Sequence, residues 1–283
     1  MAAIVIDGKQ LSAEKMENLA KRVETLKGKG ITPGLAVVLV GEDPASQIYV
    51  RSKEKACQTL GLHSIAIRLE EKVEEEELLK KVEELNQDPS IHGILVQLPL
   101  PKHIHEQRVI GAIKAEKDVD GFHIENVGKM FLQQEGIVAC TPKGVLEMIR
   151  FTGVDIVGKD AVVVGKSNIV GKPMAVLLMN EEATVSVCHI FTKDLASYTK
   201  KADILVVAAG SPKLITADMV KPGAVVIDVG INRVDGKVVG DVDFEEVKKV
   251  AGFISPVPGG VGKMTIAMLM DNIVTIAEKG MKV

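Results

Sequence analysis

Ala161-Val-Val-Val-Gly165-Lys-Ser-Asn-Ile-Val-Gly171-Lys-Pro-Met174 decides the fold class of this chain. Consecutive apolar residues at 161–164 read as a strand buried on both faces; a glycine turn follows, and an apolar helix runs on through Leu178. That order sets a helix N-terminus, with its free N–H groups and positive dipole end, at the carboxyl end of a buried strand. A dinucleotide-binding βα unit meets a pyrophosphate in this way. The glycine spacing departs from G-x-G-x-x-G, because Ser167 stands at the second glycine and Gly171 comes one place late. Taken alone, the turn reads equally well as one that only packs helix on strand, so the cofactor reading needs support from elsewhere.

The next strand, 184–188, supplies some. An NAD site carries a carboxylate near the tip of its second strand to hold the ribose 2′-OH. Here the strand runs into His189-Ile-Phe-Thr192-Lys193, with no acid before Asp194, while basic Lys166 lies in the glycine turn. A missing acid beside a base favours a 2′-phosphate, and so NADP, with NAD as the alternative. Gly165-Lys-Ser167 and Gly262-Lys-Met264-Thr265 resemble the end of a P-loop. Asp160 and Val257 occupy its first-glycine positions, so neither satisfies the motif.

Further strands are expected at 203–208, 224–229 and 251–254, and a long final helix from Val261 to Lys279. The first half alternates in the same manner. A helix is expected over 11–28, a continuous buried strand over Gly34–Val40, and a helix over 44–60 opened by Asp43 and Pro44. A strand from His63 to Leu69, a helix over 73–86 and a strand from Ile91 to Leu98 complete it. Such alternation predicts parallel sheets covered by helices. The acidic run from Glu70 to Glu84 puts Val73, Leu78, Leu79, Val82 and Leu85 on one helical face, so its charges read as a solvated surface rather than a metal site. The fold class is α/β: an N-terminal αβ domain with a parallel sheet over 1–140, and a Rossmann-type NAD(P)-binding domain over 141–262. The final helix, about 263–283, returns to the first domain, and the active-site cleft is expected between the two.

Composition narrows the function. The chain has 283 residues, 46% of them hydrophobic, and a formal net charge of −3, which argues against a general nucleic-acid binder. Trp is absent, and no apolar run has the length of a membrane span. The N-terminus lacks the basic start and apolar core of a signal peptide. Cys57, Cys140 and Cys188 are far apart with no C-x-x-C, which points to a reducing cytoplasm and to neither a disulfide framework nor a cysteine metal site. No metal is expected.

Several residues outside the glycine turn could carry chemistry. Tyr49 and Lys53 are four apart on an expected helix, on one face, within reach of one ligand. Such a lysine serves as acid or base where burial lowers its pKa; spacing alone favours the plainer reading, a surface lysine beside a half-buried Tyr. Gln97 closes the strand Ile94-Leu-Val-Gln97 at the carboxyl end, where ligands of open α/β sheets bind, although a strand-end cap is its plain alternative. In Asp118-Val-Asp120-Gly121, a carboxylate can accept from the N–H donors of a heterocycle, or the segment is an Asp-Gly turn. His103 and His105 read as loop residues. Pro256-Val-Pro258-Gly-Gly-Val-Gly262 is a rigid approach to the last helix whose bare backbone can come close to a flat ligand.

Together, in order, Tyr49-Val-Arg-Ser-Lys53, Val96-Gln-Leu-Pro-Leu-Pro101, Lys117-Asp-Val-Asp-Gly121, Cys140-Thr-Pro-Lys-Gly144, Gly165-Lys-Ser-Asn-Ile-Val-Gly171, Asp228-Val-Gly-Ile-Asn232 and Pro256-Val-Pro-Gly-Gly-Val-Gly262 resemble the bifunctional methylenetetrahydrofolate dehydrogenase/cyclohydrolase (FolD) family over essentially the whole chain. The resemblance implies a cytoplasmic homodimer of one-carbon metabolism that acts in tetrahydrofolate interconversion and purine biosynthesis. NADP⁺ takes a hydride from 5,10-methylenetetrahydrofolate, and water then opens the methenyl product to 10-formyltetrahydrofolate. It implies Lys53 as the proton-transfer group, tuned and oriented by Gln97. Tyr49 would pack against the folate and Asp120 would anchor the pterin. Val96, Leu98, Pro258, Gly259, Gly260, Val261 and Gly262 would complete the folate pocket. Gly165, Lys166 and Ser167 would hold the NADP phosphates, with Ile190 and Ile231 near the cofactor.

Three positions depart from the family pattern. Lys166 replaces an Arg, keeping charge without the bidentate fork. Ile190 replaces a serine, with Thr192 as a candidate substitute, and Lys263 replaces a proline. The rival readings are a dehydrogenase without the cyclohydrolase step and a nucleotide-sensing module without catalysis. Intact Tyr49, Lys53 and Gln97 argue against both.

Overall fold

Parallel strand pairing builds both main sheets of the structure, a computed structural model in which residues 2–280 are described. The segment up to Ala13 and Thr141–Thr265 form one unit around six strands; Glu14–Cys140 and the chain from Ile266 onward form another around three. The chain opens with β1 (Ile4–Val5) and α1 (Gly8–Lys27).

In the three-stranded unit the order of elements is β2 (Gly34–Val40), α2 (Pro44–Leu60), β3 (His63–Leu69), α3 (Glu75–Gln87) and β4 (Gly93–Val96). The sheet order is β3-β2-β4. The continuous apolar run of β2 takes the centre because a central parallel strand is covered on both faces, and all of its residues are buried. Its register sets Val38 opposite Val96, and the Gln97 N–H donates to the Val38 carbonyl, so Gln97 stands at the carboxyl edge of the sheet. The strand stops short of the expected Leu98 because Pro99 and Pro101 have no N–H to continue a ladder. Leu78, Val82 and Leu85 of α3 are buried, with the acidic side chains on the outer face. Two short helices follow, α4 (Glu106–Ala112) and α5 (Ile124–Phe131), each too brief for helical periodicity to declare itself in the sequence.

The six-stranded unit contains α6 (Cys140–Phe151), β5 (Asp160–Val164), α7 (Gly171–Asn180), β6 (Thr184–Cys188), α8 (Leu195–Thr199), β7 (Ile204–Val207) and β8 (Val225–Asp228). A hairpin, β9 (Asn232–Val234) and β10 (Lys237–Val239), turns at Asp235-Gly236, both at positive φ as a two-residue primed turn requires. Then come α9 (Phe244–Val247), β11 (Phe253–Ile254) and α10 (Val261–Lys279). The expected final turn at 281–283 lies outside the described residues. The sheet order β1-β11-β8-β7-β5-β6 is parallel throughout, and its core comprises Val162, Val164, Leu205, Val207, Val226 and Ile254 among others. β1 joins this sheet through a pairing of two residues with β11, too short to register in the sequence. No described helix is long and apolar enough to cross a membrane, and the described residues hold no group of three or more His, Cys, Asp or Glu able to bind a metal.

Candidate active site

In the three-stranded unit, α2 positions Tyr49 and Lys53. Asp43 caps the helix by accepting from the Ser46 N–H at 2.7 Å, with Pro44 pre-set for the first turn. The Tyr49 side of α2 is open, with 38% of that residue exposed. One turn on, Lys53 is half-buried, and its Nζ donates to Oε1 of Gln97 at 2.9 Å. The Gln97 amide cannot turn round, because its Nε2 donates to the Leu98 carbonyl at 2.7 Å. The strand-end amide is therefore an oriented acceptor for the lysine. Val96 ends β4 as a buried residue, and Leu98 contributes the carbonyl that fixes Gln97.

Burial lowers the Lys53 pKa, against the pull of Asp120 and Cys140, which raise it. Burial pushes the Asp120 carboxyl up to about 6, with the Lys53 charge opposing the shift and Asp118 adding to it. The two groups are thus electrostatically coupled inside one protected site. The two aspartates of the Asp118-x-Asp120 motif have separate work. Asp118 accepts from the N–H groups of Gly121 (3.1 Å) and His123 (2.8 Å) and from Nδ2 of Asn126 (3.0 Å), so it builds the turn that presents Asp120.

Two residues that sequence reasoning missed support that turn. Asn272 of α10 donates from Nδ2 to the carbonyls of Val119 (2.9 Å) and Val138 (3.0 Å), and the Cys140 thiol donates to the same Val119 carbonyl at 3.3 Å. The available signal was a polar residue at a core position: Asn272 is buried in α10 among the buried apolar residues Met268, Leu269, Ile273 and Val274.

In the six-stranded unit, strand order reverses at β5, which lies between β6 and β7. Ligands of open α/β sheets bind beyond the carboxyl ends at such a point. The turn there is tight: Gly165 has φ +125°, and a Cβ on it would lie 2.2 Å from the Ala208 carbonyl oxygen. Only glycine fits. The Ser167 hydroxyl accepts from the N–H groups of Val170 (3.2 Å) and Gly171 (3.3 Å) and so caps the start of α7. The N–H groups of Lys166, Ser167 and Asn168 meet no acceptor among the described residues. A glycine cradle, free N–H groups and the exposed Lys166 fit the phosphates of a dinucleotide. At the tip of β6, Asp194 is taken up as the cap of α8, and Thr192 Oγ1 accepts from the His189 N–H at 2.8 Å. Ile190 is 89% exposed at that tip, and Ile231 is 53% exposed after β8. The segment Pro258–Gly262 links β11 to α10, and Val261 and Gly262 form the first positions of that helix.

This is the architecture of a doubly wound nucleotide-binding enzyme with a separate catalytic unit. The chain belongs to the tetrahydrofolate dehydrogenase/cyclohydrolase family, whose catalytic-domain model matches residues 6–120 and whose NAD(P)-binding-domain model matches residues 139–281. It is an enzyme with both activities of that family. A curated relative, the bifunctional protein FolD of Acidovorax ebreus (strain TPSY), is 58% identical over 99% of this chain and 100% of its own length. The solved FolD methylenetetrahydrofolate dehydrogenase/cyclohydrolase of Campylobacter jejuni is 54% identical with a TM-score of 0.97, covering 99% of this chain and 100% of its own. The Trypanosoma brucei enzyme, solved with NADP cofactor and an inhibitor, is 40% identical with a TM-score of 0.97 and covers 100% of both chains.

Proposed function

We propose that Lys53 is the proton-transfer group of a two-step folate enzyme that converts 5,10-methylenetetrahydrofolate to the 5,10-methenyl and then the 10-formyl derivative. The observation that carries this reading is the half-buried Lys53–Gln97 contact at 2.9 Å beside a carboxyl held near 6. A lysine with its pKa lowered by burial supplies the neutral amine that general-base chemistry needs.

NADP is the cofactor, and when bound it supplies the hydride acceptor. Gly165, Lys166 and Ser167 hold its phosphates, and Ile190 and Ile231 line its approach. The hydride leaves a carbon flanked by two nitrogens, so this step needs positioning more than acid or base. Tyr49 packs along the folate, and Asp120, mostly ionised at neutral pH, accepts from the N–H donors of the pterin. Val96 and Leu98 line the folate pocket, and the family resemblance adds Pro258, Gly259, Gly260, Val261 and Gly262 to the folate-binding residues.

In the second step, water adds to the methenyl carbon and gives up a proton to the Lys53 amine. The resulting hydroxyl adduct then collapses: the bond to N5 breaks as N5 takes up the proton held by Lys53, the hydroxyl releases its own proton to solvent to become the formyl C=O, and the formyl group stays on N10. Gln97 orients Lys53 throughout. Three buried cysteines far apart in the sequence fit a reducing compartment, so the enzyme is assigned to the cytoplasm. Family resemblance supports a homodimer, which light scattering of the purified protein checks. The test of the reading is an absorbance assay with methylenetetrahydrofolate and either NADP⁺ or NAD⁺, following reduced cofactor and methenyl product together. NADPH formation followed by decay of the methenyl signal is expected. NADPH formation with a persistent methenyl signal supports the dehydrogenase-only rival, and no NADPH formation supports the sensing module.

A further inference from the structure

A carboxylate with no role in the reaction sits against the cofactor side of the six-stranded sheet. Asp241 follows the β9–β10 hairpin, which returns the chain beneath the loops after β7 and β8. Its Oδ2 accepts from the N–H groups of Ala209 (2.7 Å) and Gly210 (2.9 Å), and its Oδ1 accepts from the Ser211 N–H (2.9 Å) and from Nδ2 of Asn232 (2.8 Å). Consecutive N–H groups converging on one anion form a nest, with Gly210 at φ +65° giving the required bend. Nests at strand ends commonly take a ligand phosphate; this one is filled by the protein's own side chain.

Asp241 is itself held. Its N–H donates to Oδ1 of Asp228 at 3.0 Å, and the same carboxylate accepts from the N–H groups of Gly230 (3.0 Å) and Val242 (2.9 Å). A Cβ at Gly240 would lie 1.8 Å from Oδ2 of Asp228, so the Gly240-Asp241 pair leaves room for two carboxylates where a larger residue would not. The side chain is fully buried.

The place of this loop gives the clamp its consequence. The loop starts at Ala208, whose carbonyl the Gly165 turn abuts. A dinucleotide crosses the switch point with its adenosine half toward β6, where the 2′ position is read, so its nicotinamide half extends over β7 and β8. We propose that Asp241 is a positioning residue for NADP: it locks the 209–211 loop to the loop after β8, forming a rigid floor for the nicotinamide half. This rests on the reading that the unit binds NADP.

The test is Asp241→Asn, which keeps size but turns an amide toward N–H donors. Three measurements apply: hydrogen exchange at 209–211 in the free protein, the NADPH Kd by fluorescence titration, and the two activities assayed separately. Faster exchange at 209–211 and a Kd raised by about tenfold or more are expected, since an unmatched buried donor costs at least that much. Cyclohydrolase activity on supplied methenyl folate should stay within about twofold, since its proposed proton-transfer groups, Lys53 and Gln97, lie in the three-stranded unit. An unchanged Kd overturns the proposal, as does a parallel fall of both activities with melting temperature. Should Asp241→Asn fail to fold, Asn232→Ala removes one of the clamp's donors, and an unchanged Kd there also overturns it. If the unaltered protein binds no NADPH, the functional reading falls with it; if it binds and Asp241→Asn binds equally, the clamp alone falls.

Discussion

Nζ of Lys53 lies 2.9 Å from Oε1 of Gln97, whose amide is locked in that sense by the Leu98 carbonyl. The contact aims the amine without charging its surroundings. A neutral acceptor orients a lysine and leaves burial free to lower its pKa, which a carboxylate at the same place would oppose.

Replacing Lys53 by Met keeps the stem and removes the transferable proton. Cyclohydrolase activity should fall by about two orders of magnitude or more, the usual worth of a general acid or base. Decay of the methenyl absorbance with purified variant measures it, and retention of full activity refutes the assignment.

Exchanging Gln97 for Glu places a negative charge against the amine and should raise the Lys53 pKa. The alkaline-rising limb of the cyclohydrolase pH profile should then move to higher pH, with lower activity at neutral pH. Asp120→Asn should move that limb the other way, because Asp120 is a group that raises the Lys53 pKa. It should also remove any acid limb near the Asp120 value of about 6. Shifts of equal sign in the two variants contradict the electrostatic account.

Lys166 offers a point charge where Arg offers a planar fork. The unaltered enzyme should prefer NADP over NAD in kcat/KM, since no carboxylate stands free at the tip of β6. Lys166→Arg should widen that preference by about tenfold or more, the worth of one further charge-assisted hydrogen bond. Equal kcat/KM values for the two cofactors in the unaltered enzyme overturn the argument.

Asn272 ties α10 to the segment that carries Asp120. Asn272→Leu leaves the carbonyls of Val119 and Val138 without that donor, at a cost of about 1–3 kcal/mol in stability. Urea unfolding measures the loss. A raised KM for folate with an unchanged KM for NADP should accompany it, as expected of a residue that holds the folate side alone.

The opening run from Ala161 to Met174 was enough to place a buried strand, a glycine turn and a helix start, because period, chain breaks and capping are local properties. The same holds for Pro44 at the head of α2 and for the apolar run of β2. With its neighbouring motifs, the chain's order of segments also identified the family. What no local pattern contained were the pairings made across long stretches of sequence. β1 joins β11 through only two residue pairs, Asn272 reaches the Val119 carbonyl, and Asp241 fills a nest made by Ala209, Gly210 and Ser211. Likewise, the sequence named both Asp118 and Asp120 but could not divide their work. Only the folded surroundings did so: three donors satisfy Asp118, while burial raises the Asp120 carboxyl to about 6 against the pull of Lys53. Hydrogen-bond partners and burial are set by tertiary packing, which brings together residues that the chain keeps far apart.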